Sequence, residues 1–455
     1  MGFLAPIDSV FLLGESREHP MHVGGMHLYV PPEGAGPDYA REMYESFIAQ
    51  HEMHPLYRNR PVNPVGTLGN IRMVQDQDVD LEYHVRLSAL PRPGRVRELL
   101  ALVSRIHGTL LDRHRPLWEM HVIEGLEDNR LAIYHKIHHS LLDGITALKM
   151  LERTLSTDPD ARDCPAPWSP HEKRPRTNSR SGPNPLALLR SGADLIGDVA
   201  GLAPTAVRLA NQALRGSDVL GPMQAPRSMF NVPIGGARRF AAQTWPMDRL
   251  SSVAKATGTK LNDVVLAMCA GALREYLLEQ SALPDDPLIT AVPVSLRAPG
   301  DQGGGNAVSI ILCNLATDQA DPVRRLETIA HSMRQSKEFM RSVTPLQAMA
   351  IGAVNMSSIA LNQIPGYARF AQPSFNILIS NVPGPTEDLF YNGARLDGLY
   401  PLSIVLDGFA LNITLTSRAG YLDFGLTGDR HSVPHLQRLL THLEDSLTDL
   451  EKATA

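Results

Sequence analysis

The sequence predicts an α/β protein built from two layered domains, each a sheet covered by helices, that meet across a cleft. Three observations lead to this fold class. The chain has 455 residues, which is long for a single hydrophobic core. Strand and helix patterns alternate in both halves, and a segment unable to form a core separates them. We therefore expect an N-terminal domain at 1–155, a linker with a bridging helix at 156–225, and a C-terminal domain at 226–455.

The first half contains three strand-like runs and one amphipathic helix. The strands are GTLGNIRMV, LWEMHVIEGL and LAIYHKIHH, and the helix is VRELLALVSRIHGTLLDR. After the third strand, apolar residues follow at helical spacing: Ile145, Leu148, Leu151 and Leu155. We therefore expect His138 and His139 at a strand end, before a tight turn into a helix that begins near Asp143 and Gly144.

Residues 156–185 are rich in Pro, Ser and Arg and read as a flexible linker. Within it lies a basic cluster, formed by Lys173, Arg174, Arg176 and Arg180. A solvated tether and a contact with anionic lipid both stay open for this cluster. The segment at about 186–216 has helical periodicity and few charges, so it could bridge the halves or lie on a membrane surface.

The second half repeats the alternation of the first. A helix is predicted at LNDVVLAMCAGALREYLLEQ, and a final amphipathic helix at about 434–452. Strands are predicted at LITAVPVSL, AVSIILCNLAT, FNILISNV, ALNITLTS and YLDFGLTG. The uncharged run at 342–368 is interrupted by prolines and polar residues, which favours a buried or surface-lying helix.

Composition narrows the function classes. Hydrophobic residues make up 43% and charged residues 20%, as in soluble globular proteins, and a net charge of −5 gives no reason to expect nucleic acid. Three well-separated cysteines without CxxC spacing favour a reducing, cytoplasmic compartment.

We expect no secretory signal, because the start is not basic and Asp8 interrupts its apolar stretch. Pro6 argues against myristoylation, and no window offers the ~20 apolar residues of a spanning helix.

The segment HKIHHSLLDG, residues 135–144, concentrates reactive side chains. A metal site is disfavoured because His138 and His139 point to opposite strand faces and HExxH is absent. A nucleophile at Ser140 is disfavoured because the chain has no GxSxG elbow. Two interpretations stay open: a histidine held by Asp143 only for folding, and a general base that takes a proton from an acceptor hydroxyl. An imidazole suits the second role because its unperturbed pKa of about 6.5 is near neutrality.

The segment His138–Gly144 resembles the HHxxxDG motif of the bacterial wax ester synthase/diacylglycerol acyltransferases. They belong to the CoA-dependent acyltransferases with an HxxxDG core, which carrier-dependent condensation domains share. Further segments resemble the family: PIDSVFL, HPMHVGG, PLWE at 116–119, LNDVV at 261–265, PVSLR at 293–297 and ISNVPGP at 379–385. The resemblance spans nearly the whole chain, and only about 156–225 is too variable to compare. It implies two chloramphenicol-acetyltransferase-like α/β sandwich domains, packed as a pseudo-dimer around a central tunnel.

The resemblance also implies roles for the residues of the motif. His139 is expected to be the general base, His138 a secondary contributor, and Asp143 a mainly structural group beside Gly144. Candidate groups for the oxyanion or the substrate come from the second half: Asn262, Asp263, Ser380 and Asn381.

Simpler roles stay open for several of these residues. Asn262 could be an ordinary helix N-cap, and the NVPGP segment an ordinary turn. Ser295 and Arg297 could contact CoA phosphates or support the domain interface. Trp118 could be a core residue or a wall of the acyl tunnel.

The activity implied by the resemblance is transfer of a long-chain acyl group from acyl-CoA to a long-chain alcohol or a diacylglycerol. We expect a ternary complex with no acyl-enzyme, and no cofactor or metal beyond the acyl-CoA substrate. Peripheral membrane or lipid-droplet association is expected because both products are insoluble. The alternatives are a condensation-type enzyme that takes acyl groups from a carrier protein, and a non-catalytic lipid-binding protein.

Overall fold

A computed structural model of the chain describes residues 2–3, 6–62, 72–142, 144–170, 219–295, 308–362, 364 and 366–454. The chain divides into two units. The first comprises 1–200 together with 383–404, and the second comprises 201–382 together with 405–455. Each unit contains a six-stranded mixed sheet with helices, in agreement with the predicted α/β class.

The first unit is built on the sheet order β12-β13-β2-β7-β6-β5. The strands are β2 (His22–Val30), β5 (Val85–Ala89), β6 (Trp118–Glu124), β7 (Leu131–His138), β12 (Phe390–Tyr391) and β13 (Ala394–Leu402). The helices are α1 (Pro6–Gly14), α2 (Tyr39–Ile48), α3 (Leu81–His84), α4 (Val96–His107) and α5 (Gly144–Glu152). A smaller sheet joins β1 (Gly2–Phe3), β4 (Arg72–Gln75) and β3 (Asn59–Val62). The central strand β7 pairs antiparallel with both β2 and β6.

The second unit is built on the sheet order β10-β9-β11-β14-β15-β8. Its strands are β8 (Arg238–Pro246), β9 (Ile289–Ser295), β10 (Val308–Asn314), β11 (Ile377–Val382), β14 (Leu411–Arg418) and β15 (Tyr421–Asp429). Its helices are α6 (Met247–Thr257), α7 (Leu261–Glu279), α8 (Pro322–Ser342), α9 (Pro345–Asn362) and α10 (Arg438–Thr454). Apolar residues cover nearly the whole circumference of α7, which therefore lies in the core and packs against α8 and α10. Of the described helices, none is long and apolar enough to cross a membrane.

The predicted domain boundaries differ from these units in two places. Residues 383–404 belong to the first unit, because β13 pairs antiparallel with β2 and extends the sheet that carries β7. The start of the predicted linker is also packed: Trp168 is fully buried and donates from Nε1 to the carbonyl of Gln50 at 2.8 Å. Residues 171–218, with the basic cluster and the segment 186–216, lie outside the described residues.

Most predicted elements occur where the sequence places them. The helix predicted over 96–113 ends earlier, at His107. Buried side chains form hydrogen bonds with the backbone carbonyls at this end. Lys136 Nζ donates to the carbonyls of Ile106 (3.1 Å) and Thr109 (2.9 Å), and His22 Nε2 lies 2.7 Å from the carbonyl of His107. Such carbonyls have no partner within a helix, so the charge on Lys136 stabilises this end.

Candidate active site

The two histidines of the motif lie at the end of β7, where the sequence predicts them. His138 is the last residue of the strand, opposite His22 of β2. Its amide donates to the carbonyl of Leu117, and its carbonyl accepts from the amide of Leu141, each at 2.9 Å. The amide of His139 donates to the carbonyl of Met21, also at 2.9 Å. The backbone therefore fixes both histidines on a tight turn before α5.

His139 is the partly exposed member of the pair, whereas His138 is fully buried. The imidazole of His139 stacks on the ring of Phe11 in α1, with centroids 4.2 Å apart and planes 20° from parallel. An aromatic ring on one face restricts rotation of the imidazole. Such an orientation suits a base that takes a proton from a bound substrate.

His138 is held by groups on both of its ring nitrogens. Nδ1 accepts from the Ser140 amide at 3.1 Å and lies 2.7 Å from Ser140 Oγ. A nitrogen that accepts from an amide carries no proton, so the proton of the neutral ring is on Nε2. Nε2 lies 3.4 Å from Oε1 of Glu15, which is longer than a good hydrogen bond and makes the contact chiefly electrostatic. Ser140 is buried, and the contact of its hydroxyl with His138 Nδ1 stabilises this turn.

Glu15, directly after α1, connects the turn to its surroundings and was not among the residues predicted from the sequence. Its side chain is 2% exposed, and its Oε2 accepts from Arg113 at 2.9 and 3.0 Å. Its Oε1 accepts from the amide of Met21 at 3.3 Å. Burial by itself would raise the pKa of Glu15, but His138, Arg113 and the Met21 amide outweigh it and lower that pKa. An ionised carboxylate therefore lies beside His138. A single glutamate after an apolar helix gives no sequence signal for this role.

The PLWE segment lies in the interior of the first unit. Trp118 is 3% exposed, stacks on His84 at 4.5 Å and on Trp168 at 5.3 Å, and donates from Nε1 to the carbonyl of Tyr57 at 2.8 Å. This environment favours the core role for Trp118.

Glu119, its neighbour, forms a buried ion pair with Lys136 of β7, with 2.6 Å between Oε1 and Nζ. Burial by itself would raise the pKa of Glu119. Contacts with His121 and Lys136 outweigh burial and lower this pKa to about 2. Together with the two carbonyls at the end of α4, the carboxylate gives Lys136 three acceptors for its three protons. The pair therefore anchors β6, β7 and α4 to one another.

Two predicted residues of the motifs, Asp143 and Arg297, lie outside the described residues. Ser295 is the last residue of β9, opposite Val308 of β10. Gly144 is exposed at the start of α5, and a Cβ built there meets no described atom within 4 Å. The described structure therefore gives no steric reason for a glycine at this position.

In the second unit, the structure brings two separate motifs together. On β11, Ile377 and Ile379 face the core that contains α7, and the two-residue period of a strand puts Asn381 on that same face. Asn381 Nδ2 accordingly donates to Oδ1 of Asn262, in the first turn of α7, at 3.3 Å. Ser380 lies on the opposite face and is partly exposed.

Asp263, rather than Asn262, caps the start of α7. Its Oδ2 accepts from the amide of Lys260, the N-cap residue, at 3.1 Å. The N-cap position considered for Asn262 is therefore that of Lys260, and Asp263 at the third helical position completes a capping box with it. The amide nitrogen of Asn262 keeps two protons that it can donate, which is the chemistry an oxyanion requires.

Within the described ranges, no group of three or more His, Cys, Asp or Glu side chains is placed to hold a metal ion. The cysteines Cys164, Cys269 and Cys313 are free and buried. Burial raises the pKa of both Cys269 and Cys313 to about 12, so neither is a ready nucleophile.

Two family models match the chain. The wax ester synthase/diacylglycerol acyltransferase catalytic domain matches residues 4–265, and the C-terminal domain of the same family matches residues 304–451.

Curated relatives align over almost the full length. A probable diacylglycerol O-acyltransferase of Mycobacterium tuberculosis is 53% identical over 454 residues, covering 100% of this chain and 99% of the relative. The O-acyltransferase WSD of Acinetobacter baylyi is 40% identical over 458 residues, covering 99% and 97%.

Solved structures agree with the described fold. The wax ester synthase/diacylglycerol acyltransferase of Marinobacter aquaeolei VT8 superposes with a TM-score of 0.82 at 39% identity, covering 100% of both chains. The first condensation domain of the CDA synthetase has a TM-score of 0.57 at 15% identity, covering 100% of this chain and 96% of the domain. At that identity the second likeness concerns the fold alone.

Proposed function

Because the chain belongs to the wax ester synthase/diacylglycerol acyltransferase family, we propose that it moves a long-chain acyl group from acyl-CoA to the hydroxyl of a long-chain alcohol or a diacylglycerol. The predicted enzyme class, an acyltransferase, is confirmed by the family's catalytic-domain model and by full-length relatives named as O-acyltransferases. The choice of donor, acceptor and base is the proposal.

The observation that carries the mechanism is the environment of His139. Its main chain is fixed by Met21, its ring is stacked on Phe11, and it keeps exposed surface. In the proposed reaction His139 takes the proton of the acceptor hydroxyl as the oxygen attacks the thioester carbon. The C–O bond forms, the tetrahedral intermediate collapses, and the C–S bond breaks. The protonated imidazole then returns the proton to the CoA thiolate, which leaves as the thiol.

The developing oxyanion requires fixed N–H donors. Asn262 is the candidate donor, and its contact with Asn381 supports this role because it orients the amide group. His138 has a supporting role, since its ring lies between Ser140 and Glu15 and away from solvent.

Direct transfer in a ternary complex, without an acyl-enzyme, is supported by the burial of the motif serine and of the cysteines. Ser140 is buried beside His138, and the three cysteines are buried thiols. A covalent acyl-protein adduct, trapped with acyl-CoA and detected by mass spectrometry of the intact chain, would contradict this mechanism.

The experiment measures CoA release from palmitoyl-CoA with hexadecanol or a diacylglycerol as acceptor. His139→Ala should lower kcat by roughly 10² to 10⁴, the contribution of one positioned base. His114→Ala is the matched control, because the side chain of His114 is almost fully exposed on the same unit. Equal activity of the His139 and His114 variants would overturn the role of His139.

Carrier-dependent condensation is the second candidate, because condensation domains share the HxxxDG core to which residues 139–144 correspond. Under this alternative, an acyl group on a carrier protein supports turnover and free acyl-CoA does not. A non-catalytic lipid binder would bind acyl-CoA without releasing CoA from either donor.

A lipid surface is the proposed location, because the acceptors and both products partition into lipid. An apolar tip after α9 supports this proposal: Phe370 is 85% exposed and Ile364 is 52% exposed. Arg369 lies exposed between them in sequence, where it can approach anionic headgroups.

A further inference from the structure

The second unit contains a cavity of about 210 Å³ that none of the roles above uses. One wall is the segment Gly258–Lys260 with Asp263, at the start of α7. The other wall is a face of α8, formed by residues at helical spacing: Ala330, Met333, Arg334 and Lys337. All these residues belong to one unit and lie within the described ranges.

The charged groups around the cavity are mostly cationic. Lys260 and Arg334 are exposed, whereas Lys337 is half-buried, and Asp263 is the acid of the lining. Burial lowers the pKa of Lys337, with Asp263 acting in the opposite direction, so desolvation by the cavity wall dominates. A half-buried ammonium gains from an anionic ligand that compensates for its lost hydration.

The first turn of α7 adds to the attraction for an anion. This helix has 19 residues, and its hydrogen bonds begin with the amides of Asp263 and Val264, which donate to the carbonyl of Lys260. The amides of Leu261 and Asn262 precede these first bonds. The partial positive charge at such an N-terminus favours a phosphate group.

Asp263 supplies a second, independent sign of a ligand. It is only 5% exposed, and its Oδ2 is used by the amide of Lys260. Its Oδ1 is buried and has no hydrogen-bond partner within the described structure. A buried carboxylate oxygen is costly without a donor. A ligand that completes this site therefore carries both an anionic group and an O–H or N–H donor.

We propose that this cavity binds the phosphorylated nucleoside end of the acyl-CoA donor. A phosphate group binds at the start of α7 to the side chains of Lys260, Arg334 and Lys337. A ribose hydroxyl or the adenine amino group donates to Oδ1 of Asp263. The proposal rests on the proposed function, since acyl-CoA is the substrate with this chemistry. It assigns a nucleotide contact to residues other than Ser295 and Arg297.

The first test is direct binding, which needs no turnover. Adenosine 3′,5′-bisphosphate and inorganic phosphate are titrated calorimetrically into the full-length chain. We expect the bisphosphate to bind at least tenfold more tightly than phosphate, and the double variant Arg334→Gln/Lys337→Gln to lose at least tenfold of that affinity. Lys452→Gln is the matched control, an exposed lysine of α10 outside the cavity. Unchanged binding by the double variant, or equal affinity for both ligands, overturns the proposal.

The second test is kinetic and separates this site from the proposed function. The double variant should raise KM for palmitoyl-CoA at least tenfold with little change in kcat. Its kcat/KM for S-palmitoyl-N-acetylcysteamine, a thioester without the nucleotide, should equal that of the unsubstituted chain. An equal loss with both donors would show a defect unrelated to nucleotide binding and overturn the site. If the unsubstituted chain turns over neither donor, the proposed function fails, while the calorimetric result still decides the site.

Discussion

Asn381 at the end of β11 donates from Nδ2 to Oδ1 of Asn262 in the first turn of α7, across 3.3 Å. The two residues belong to separate motifs, LNDVV and ISNVPGP. Through this contact the two side chains form an amide pair, in which Asn381 fixes the orientation of Asn262. A donor to a developing oxyanion is effective only when it is oriented before the reaction.

The amide pair predicts coupled losses of activity. Asn262→Ala should lower kcat by about 10² to 10³, the usual effect of removing one oxyanion donor. Asn381→Ala should lower it less, because this residue acts through Asn262. Measured as a double-mutant cycle on kcat, the second substitution should add little to the first. Fully additive losses would show that the two amides act separately.

Glu15 is expected to support His138 and the turn that carries both histidines. Glu15→Gln removes the charge beside Arg113 and His138 and should lower the free energy of unfolding by about 1–3 kcal/mol, the usual effect of an unsatisfied buried partner. Urea unfolding of the full chain measures the change. Glu18→Gln, an exposed glutamate three residues on, is the matched control and should change stability little. Equal stability of the two variants would contradict the role of Glu15.

The Glu119–Lys136 pair predicts a defined pH dependence. The pKa of Glu119 is lowered from 4.5 to about 2 in the folded chain, so the unfolded chain binds a proton first as the pH falls. Its stabilising contribution is therefore complete above about pH 5 and declines as the pH falls from about 4.5 towards 2. The difference in unfolding free energy between the unsubstituted chain and Glu119→Gln should be constant from pH 5 to 7 and smaller at pH 3. The same comparison with Glu33→Gln, an exposed control, should stay flat.

The sequence was informative wherever the pattern is local. The period of β7 and the apolar stripe after it placed His138 and His139 on their turn, and the pattern of LNDVVLAMCAGALREYLLEQ predicted the helix α7. Long-range pairing was not accessible in this way. No local pattern shows that β13 joins β2, or that Glu15 reaches His138 across more than a hundred residues of chain.

For some individual residues, the contacts in the structure differ from the role that the motif suggests. Trp118 and Glu119 stand in a family-like motif, yet their contacts are those of a packed core and a buried ion pair. Asn262 and Asp263 are adjacent, and only their hydrogen bonds distinguish the amide that meets Asn381 from the carboxylate that caps α7.

Two glycines should respond in opposite ways to an added side chain. A Cβ on Gly271 of α7 would lie 2.1 Å from Oγ of Ser446 in α10, so Gly271→Val should lower the unfolding free energy by about 1–3 kcal/mol. Gly144→Ala meets no described atom and should leave thermal unfolding unchanged. A loss of activity in folded Gly144→Ala would assign this glycine a role in the reaction. A large loss of stability would instead contradict the open space seen at α5.

The apolar tip after α9 predicts binding to a lipid surface. Phe370→Ser should weaken the affinity for vesicles of phosphatidylcholine and phosphatidylglycerol, measured by sedimentation, by about tenfold or more, because an exposed phenyl ring gains about 1.5–3 kcal/mol when it is fully buried in an apolar phase. Tyr421→Ser is the matched control, an exposed aromatic residue at the start of β15. CoA release with a detergent-solubilised acceptor should be the same for Phe370→Ser and the unsubstituted chain, since the substitution affects access to lipid rather than chemistry. Equal vesicle binding by the Phe370 and Tyr421 variants would exclude this tip as the lipid contact.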